Sequence, residues 1–250
     1  MSGHSKWATI KHKKAAADSK RGKVFTRLIR EIQIAAREGG GGDPDSNPRL
    51  RTAVTAAKSQ SMPAENIKRA ILRGTGQLEG ASFEEITFEG YGPAGVAVIV
   101  QVVTDNRNRT VSELRHLFAK NGGNLGENGC VGWMFDKRSL IVVSKEAAPE
   151  DKLMEIVLGA GADDMRDEGE NWSVISPFEA HDAVVAALVA AGIQPATAEI
   201  SMLPQNSVQI AGKQAAAVLR TIEALEELDD VQNVYANFDI DDKELEALSA

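Results

Sequence analysis

A single cysteine, Cys130, stands among 250 residues, so no internal disulfide can form and a reducing compartment is the natural setting. No apolar run is long enough to cross a bilayer. The first residues are positively charged but lack the apolar stretch of a secretory signal, and they are Lys-rich where a transit peptide would be Arg-rich. Histidine is scarce. His4, His12, His116 and His181 show no metal-ligand spacing with Cys130 or with a carboxylate pair. Cys130 has no neighbouring base and no nucleophile motif. These absences give the expectation of a soluble cytoplasmic protein that is not an enzyme. No metal, cofactor, membrane partner or small-molecule substrate is expected.

What is present is an uneven distribution of charge. The formal net charge is -8. Residues 1–78 nevertheless hold 16 Lys/Arg against 6 Asp/Glu, while residues 79–250 hold 12 against 30. A segment of net +10 is therefore joined to one of net −18. The basic part sets the orientation of any encounter with a polyanion, because the acidic part repels nucleic acid. The first 24 residues are the richest, with Lys6, Lys11, Lys13, Lys14, Lys20, Arg21 and Lys23 opposed by Asp18 alone. Such cations neutralise phosphates and release counterions. Trp7 among them suits either stacking on a base or packing against the protein. Phosphate contacts carry no sequence information, so DNA and RNA are not separated by this signal.

From Asp18 the periodicity is helical. Val24, Leu28, Ile32 and Ala35, with Phe25, Ile29 and Ala36, share one face, and Lys20, Lys23, Arg27, Arg30 and Arg37 the other. Arg27 and Arg30 thus extend the basic arm onto the helix. Gly39–Gly42 ends that helix. Pro48 opens a second, about 48–60, and Met62-Pro63 a third, about 63–73. Three short amphipathic helices bury their stripes only against one another. Residues 75–82 read as a linker. Strand patterning follows: 83–91 as a hairpin partner, the apolar run Val96–Val103, then 131–136 and 140–144. Helices are expected near 109–120, 149–159, 178–191 and 213–228, with strands near 162–167, 172–176, 198–203, 207–211 and 231–238. The order from 139 to 203 is βαββαβ, and the flanking pieces combine into a second such unit. The expected fold is α+β, an N-terminal three-helix domain followed by two ferredoxin-like α/β domains, one inserted in the other. Expected boundaries are 1–78 for arm and helices, 79–136 plus 205–240 for one α/β domain, and 137–204 for the inserted one.

The stretch from Asn121 to Phe135 is rich in glycine. Backbone N–H groups of such a loop can cradle an anion. It lacks the Gly-Lys-Ser/Thr ending of a P-loop and follows a helix, which argues against nucleotide binding. Two readings stay open. Gly122 and Gly123 cap the helix ahead of a mobile loop, or Asn121, Gly122, Gly123, Asn124, Leu125 and Gly126 form a partner-contact element. The acids Glu223, Glu226, Glu227, Asp229, Asp230, Asp239, Asp241, Asp242 and Glu244 read as a solvated face.

Gly3-His4-Ser5-Lys6-Trp7, Ile10-Lys11-His12-Lys13-Lys14 and Asp18-Ser19-Lys20-Arg21-Gly22-Lys23 resemble the start of the YebC/PmpR family. Pro63-Ala64-Glu65-Asn66-Ile67, Tyr91-Gly92-Pro93, Asn121-Gly122-Gly123-Asn124-Leu125-Gly126 and Trp133-Met134-Phe135 extend the resemblance over about half of the chain. Cys130 departs from it, standing where Ser is common. The resemblance implies three domains, a helical bundle and two α/β domains, and no catalytic residues. It implies a DNA-binding transcription regulator. The alternative is a ribosome-associated translation factor that binds ribosomal RNA and aids translation through proline-rich stretches, as with related mitochondrial translational activators.

Overall fold

The computed structural model describes residues 21–80 and 82–249. The fold is α+β, and the chain divides into two compact units. One runs to Gly132 and resumes at Val208; the other, Trp133–Ser207, lies between those two segments in the sequence.

The first unit opens with three helices, α1 (Arg21–Glu38), α2 (Pro48–Ser59) and α3 (Ala64–Gly74). Ile32, Ala35 and Ala36 of α1 pack with Leu50, Ala53, Val54, Ala57, Ile67 and Ala70, so the periodic stripes do meet. Asn47 fixes the α1–α2 corner. Its Oδ1 accepts the Leu50 N–H at 3.0 Å, and its Nδ2 donates to the carbonyls of Ala35 and Gly41. This is an N-cap that also satisfies the end of the preceding helix. The α1–α3 crossing is tight at Gly74, where an added Cβ would lie 2.5 Å from the Gln33 carbonyl and 2.8 Å from Ala36 Cβ. Gly74→Ala must push backbone apart and is expected to cost about 1–3 kcal/mol, read as a lower midpoint in thermal denaturation.

The same unit continues with β1 (Glu84–Tyr91), β2 (Ala97–Thr104), α4 (Arg107–Lys120) and the two-residue β3 (Asn124–Leu125). After the second unit come β8 (Val208–Gln209), α7 (Gly212–Glu226), β9 (Val231–Ala236), β10 (Phe238–Asp239) and α8 (Asp242–Ser249). The sheet order is β3-β1-β2-β9, antiparallel throughout. Val98, Val100 and Val102 of β2 face a core with Leu114 and Phe118 of α4 and Val218, Ile222 and Leu225 of α7. The segment near 207–211 does not enter this sheet. Val208–Gln209 pairs in parallel with β10, and β1 occupies the place between β2 and β3.

The second unit holds β4 (Phe135–Ser144), α5 (Glu150–Gly159), β5 (Asp164–Glu168), β6 (Asn171–Pro177), α6 (His181–Ala190) and β7 (Thr197–Pro204). Its order is β5-β6-β4-β7, all antiparallel, which is the split βαβ arrangement read from the sequence. Ile141, Val143, Trp172 and Val174 meet Leu153, Val157, Val184 and Leu188 of the two helices. Residues 131–134 are not strand; the first strand here begins at Phe135 and runs unbroken to Ser144.

Candidate nucleic-acid interface

Lys6, Trp7, Lys11, Lys13, Lys14 and Lys20 lie outside the described residues, as does the side chain of Arg21, which opens α1. Three of the expected phosphate-binding residues are described, and all three turn to one place. Lys23 Nζ donates to the Glu227 carbonyl at 3.0 Å. Arg27 donates to the carbonyl of Glu226, and Arg30 to that of Asp229. Positions 23, 27 and 30 share one face of α1. The carbonyls of Glu226 and Glu227 belong to the end of α7, where the last C=O groups lack helical partners and carry the negative end of the helix dipole, and that of Asp229 lies in the turn that follows. Burial lowers the pKa of the Arg27 guanidinium, with Asp229 opposing that effect. This part of the α1 basic face therefore caps a helix of its own chain.

Beyond those carbonyls lies Asp230, 3% exposed and ahead of β9. One oxygen meets Arg30 at 3.0 Å. The other accepts from Thr104 at 3.1 Å, Thr110 at 2.6 Å and Arg109 at 2.8 Å. Its backbone carbonyl accepts the Val103 N–H. One carboxylate thus joins the end of β2, the first turn of α4 and the middle of α1. Burial alone would raise its pKa, but Arg109, Thr110, Arg30 and Thr104 together hold it below the usual carboxylate range. The reading of these acids as a uniformly solvated face is corrected here: Asp230 belongs to the interior, because cations and hydroxyls from distant segments converge on it.

The glycine-rich loop is also built around an anion. Gly122, at φ +82°, and Gly123 close α4, donating to the Ala119 and Phe118 carbonyls. That is a Schellman cap. Asn121 Nδ2 donates to the Leu117 carbonyl, and Asn124 and Leu125 pair with Tyr91 and Gly90 as β3. An added Cβ at Gly123 would lie 2.3 Å from the Tyr91 carbonyl, so only glycine allows this approach. Gly126 donates to the Glu89 carbonyl. The chain then wraps the Glu89 carboxylate, which accepts the N–H groups of Gly129 at 2.8 Å, Val131 at 2.8 Å and Gly132 at 2.6 Å. Glycine-rich backbone does cradle an anion here, and the anion is a side chain of the same protein. Burial would raise the Glu89 pKa; the three backbone donors outweigh it and hold the group below its ordinary value. The thiol of Cys130 is pushed up, first by burial and then by the nearby Glu89 charge.

Most other cations of the helical region face solvent, Arg49 excepted. Arg49 is committed to Glu31 and Glu85, at 2.9 Å each. Lys58 on α2, and Lys68, Arg69 and Arg73 on α3, are exposed and have no ion pair among the described residues. Among those residues, no group of three His, Cys, Asp or Glu could hold a metal ion, and no helix is long and apolar enough to cross a membrane. His116 is exposed on α4, and His181 Nδ1 lies 2.8 Å from the buried Ser139 hydroxyl. Asp230 and Glu89 were not singled out as functional residues by the sequence. The only signal was indirect, a glycine-rich loop with donors in need of an anion.

A family model described as the TACO1/YebC protein N-terminal domain matches residues 5–77, and one described as the TACO1/YebC second and third domain matches residues 83–238. A protein of Solibacter usitatus is 63% identical over 249 residues, covering 100% of both chains; it is named "Probable transcriptional regulatory protein". A protein of Acidobacterium capsulatum with the same name is 63% identical over 244 residues and 98% of each chain. The crystal structure of a conserved hypothetical protein from Aquifex aeolicus superimposes with a TM-score of 0.82 at 47% identity, covering 91% of this chain and 94% of that one. On both family models and on full-length relatives at this identity, the chain belongs to the TACO1/YebC family.

Proposed function

We propose that this protein is a non-enzymatic, nucleic-acid-binding regulator of gene expression, and that it binds as a DNA-binding transcription regulator. The observation that carries the reading is the charge division: net +10 over residues 1–78 against −18 over the rest. The name carried by the relatives, "Probable transcriptional regulatory protein", supports the regulatory part. Within the basic part, Lys23, Arg27 and Arg30 hold the end of α7. Phosphate contact is therefore assigned to Lys6, Lys11, Lys13, Lys14, Lys20 and Arg21, with Trp7 beside them, and to the exposed cations of α2 and α3.

Affinity for DNA or RNA is expected to fall steeply with salt, because phosphate contacts act through counterion release. Replacing Lys11, Lys13 and Lys14 together by Ala removes three such contacts. The slope of log affinity against log salt should flatten by about 2–3, to a similar degree on unrelated sequences. An unchanged slope would remove the arm from the interface. Crosslinking in cells followed by sequencing of the attached nucleic acid tests the target. Promoter DNA supports the transcription regulator, and ribosomal RNA would replace it by the translation factor.

A further inference from the structure

A groove of about 490 Å³ runs between α1, the end of α3 and the chain from Thr75 to Gly80, with Ser82 and Phe83 closing it. A second hollow of about 390 Å³ continues it and shares Gln33, Arg73, Gly80 and Phe83. The informative side chain is Gln33. It lies in both hollows and is only 7% exposed, yet its amide has no hydrogen bond among the described residues. The body of the side chain is packed against the protein, and its amide is left free for a ligand in the groove. An amide presents one acceptor and two donors in a plane, which is the chemistry that pairs with the edge of a nucleobase.

The remaining lining fits the rest of a nucleotide. Phe83 offers an aromatic ring, with the Arg30 guanidinium 5.3 Å from its centroid. Arg73 is exposed beside it, while Arg37 is paired with Glu38 at 2.8 Å and reaches the Ser82 hydroxyl at 3.3 Å. A base can stack on the ring and meet the amide while Arg73 takes the phosphate. An acidic peptide would use Arg73 but leave the amide and the ring unexplained. A paired base cannot use this seat, since its edge and faces are held in the duplex.

We infer that this groove seats one unpaired nucleotide of a bound nucleic acid, read by Gln33 and stacked on Phe83. The inference rests on the nucleic-acid-binding reading above and adds a preference for single strands. Gln33→Leu tests it in the full-length protein. Leucine fills similar space and breaks no hydrogen bond among the described residues, so thermal stability should hold. Binding is followed by anisotropy of fluorescein-labelled dodecameric oligouridylate, alone and annealed to oligoadenylate. The variant is expected to bind the single strand roughly tenfold more weakly and the duplex unchanged. In the wild type, oligouridylate carrying 5-iodouridine should crosslink to the peptide that contains Phe83. Wild-type affinity for the single strand in Gln33→Leu, or equal losses on both probes, would overturn the groove. The Lys11, Lys13 and Lys14 variant reports separately on the arm. If it binds normally while Gln33→Leu does not, the arm falls and the groove stands.

Discussion

Asp230→Ala should lower the stability of the protein by about 3–5 kcal/mol, the cost of breaking a buried, hydrogen-bonded charge cluster by removing its central partner. The carboxylate is almost wholly buried and takes Arg30, Arg109, Thr104 and Thr110. Its loss leaves the Arg30 guanidinium, itself largely buried, without its carboxylate. The two threonine hydroxyls lose an acceptor inside the protein. For a chain of this length, about 1 kcal/mol moves the thermal midpoint by roughly 2–4 °C, so the shift should reach about 10 °C. Arg30→Ala should cost less, since Arg109 and both hydroxyls still hold the carboxylate. The coupling between Arg30 and Asp230 in a double-mutant cycle should be favourable. Acid should act on the same cluster. The folded pKa of Asp230 lies below its ordinary value. The stabilisation is therefore complete above the unfolded pKa of about 4 and is lost as pH falls through the folded value. Asp230→Asn should flatten that part of the stability profile. Denaturant midpoints measured from pH 7 down to pH 3 on both variants check the argument; an acid limb unchanged in Asp230→Asn would refute it.

Much of the fold could be read from one sequence because its signals are local. The stripe of Ile32, Ala35 and Ala36 repeats at helical spacing and is buried as one face. The β-branched run of β2 is a central strand. The strand and helix order of the inserted unit gives its topology directly. The misreadings lie where a partner is far away along the chain. Nothing near Asp230 reveals that residues at 30, 104, 109 and 110 close on it. Without those partners a run of acids at a helix end looks solvated. The opposite face of α1 shows the same limit. Its lysine and arginines are periodic in the sequence, but only the fold places the carbonyl end of α7 before them. The helix α8 is not legible because half of its residues are charged; among its described side chains only Leu245 is deeply buried. In the loop after α4, composition identified donors suited to an anion. The anion itself sits about 40 residues earlier, in a strand where Glu89 looks like an ordinary solvent-facing position.

Glu89→Ala should release that loop. The three N–H groups of Gly129, Val131 and Gly132 lose their acceptor, and Val131 is fully buried. An unsatisfied buried donor costs about 1–3 kcal/mol, and Val131 is the one of the three that is buried, so the local structure should lose about that much unless it opens to water. Opening is the expected response, because the loop contains Gly126, Gly129 and Gly132 and makes few other backbone bonds. Amide exchange at Gly129, Val131 and Gly132 should accelerate, while exchange in β2 stays slow. Cys130 supplies a second readout as the sole cysteine. Burial and the Glu89 charge both raise its pKa, so removing the charge and exposing the thiol should speed alkylation by iodoacetamide. The pH dependence has a definite sign. Glu89 titrates below its ordinary value in the fold. Its hold on the loop is complete above about pH 4.5 and weakens as pH falls through the folded pKa. Loop amides of the wild type should therefore lose protection in acid, and those of Glu89→Gln should be weakly protected at every pH. If exchange at these three amides is the same in wild type and Glu89→Ala at pH 7, the carboxylate does not hold the loop. If only they accelerate, the glycine-rich segment is a rigid element whose order depends on one internal charge.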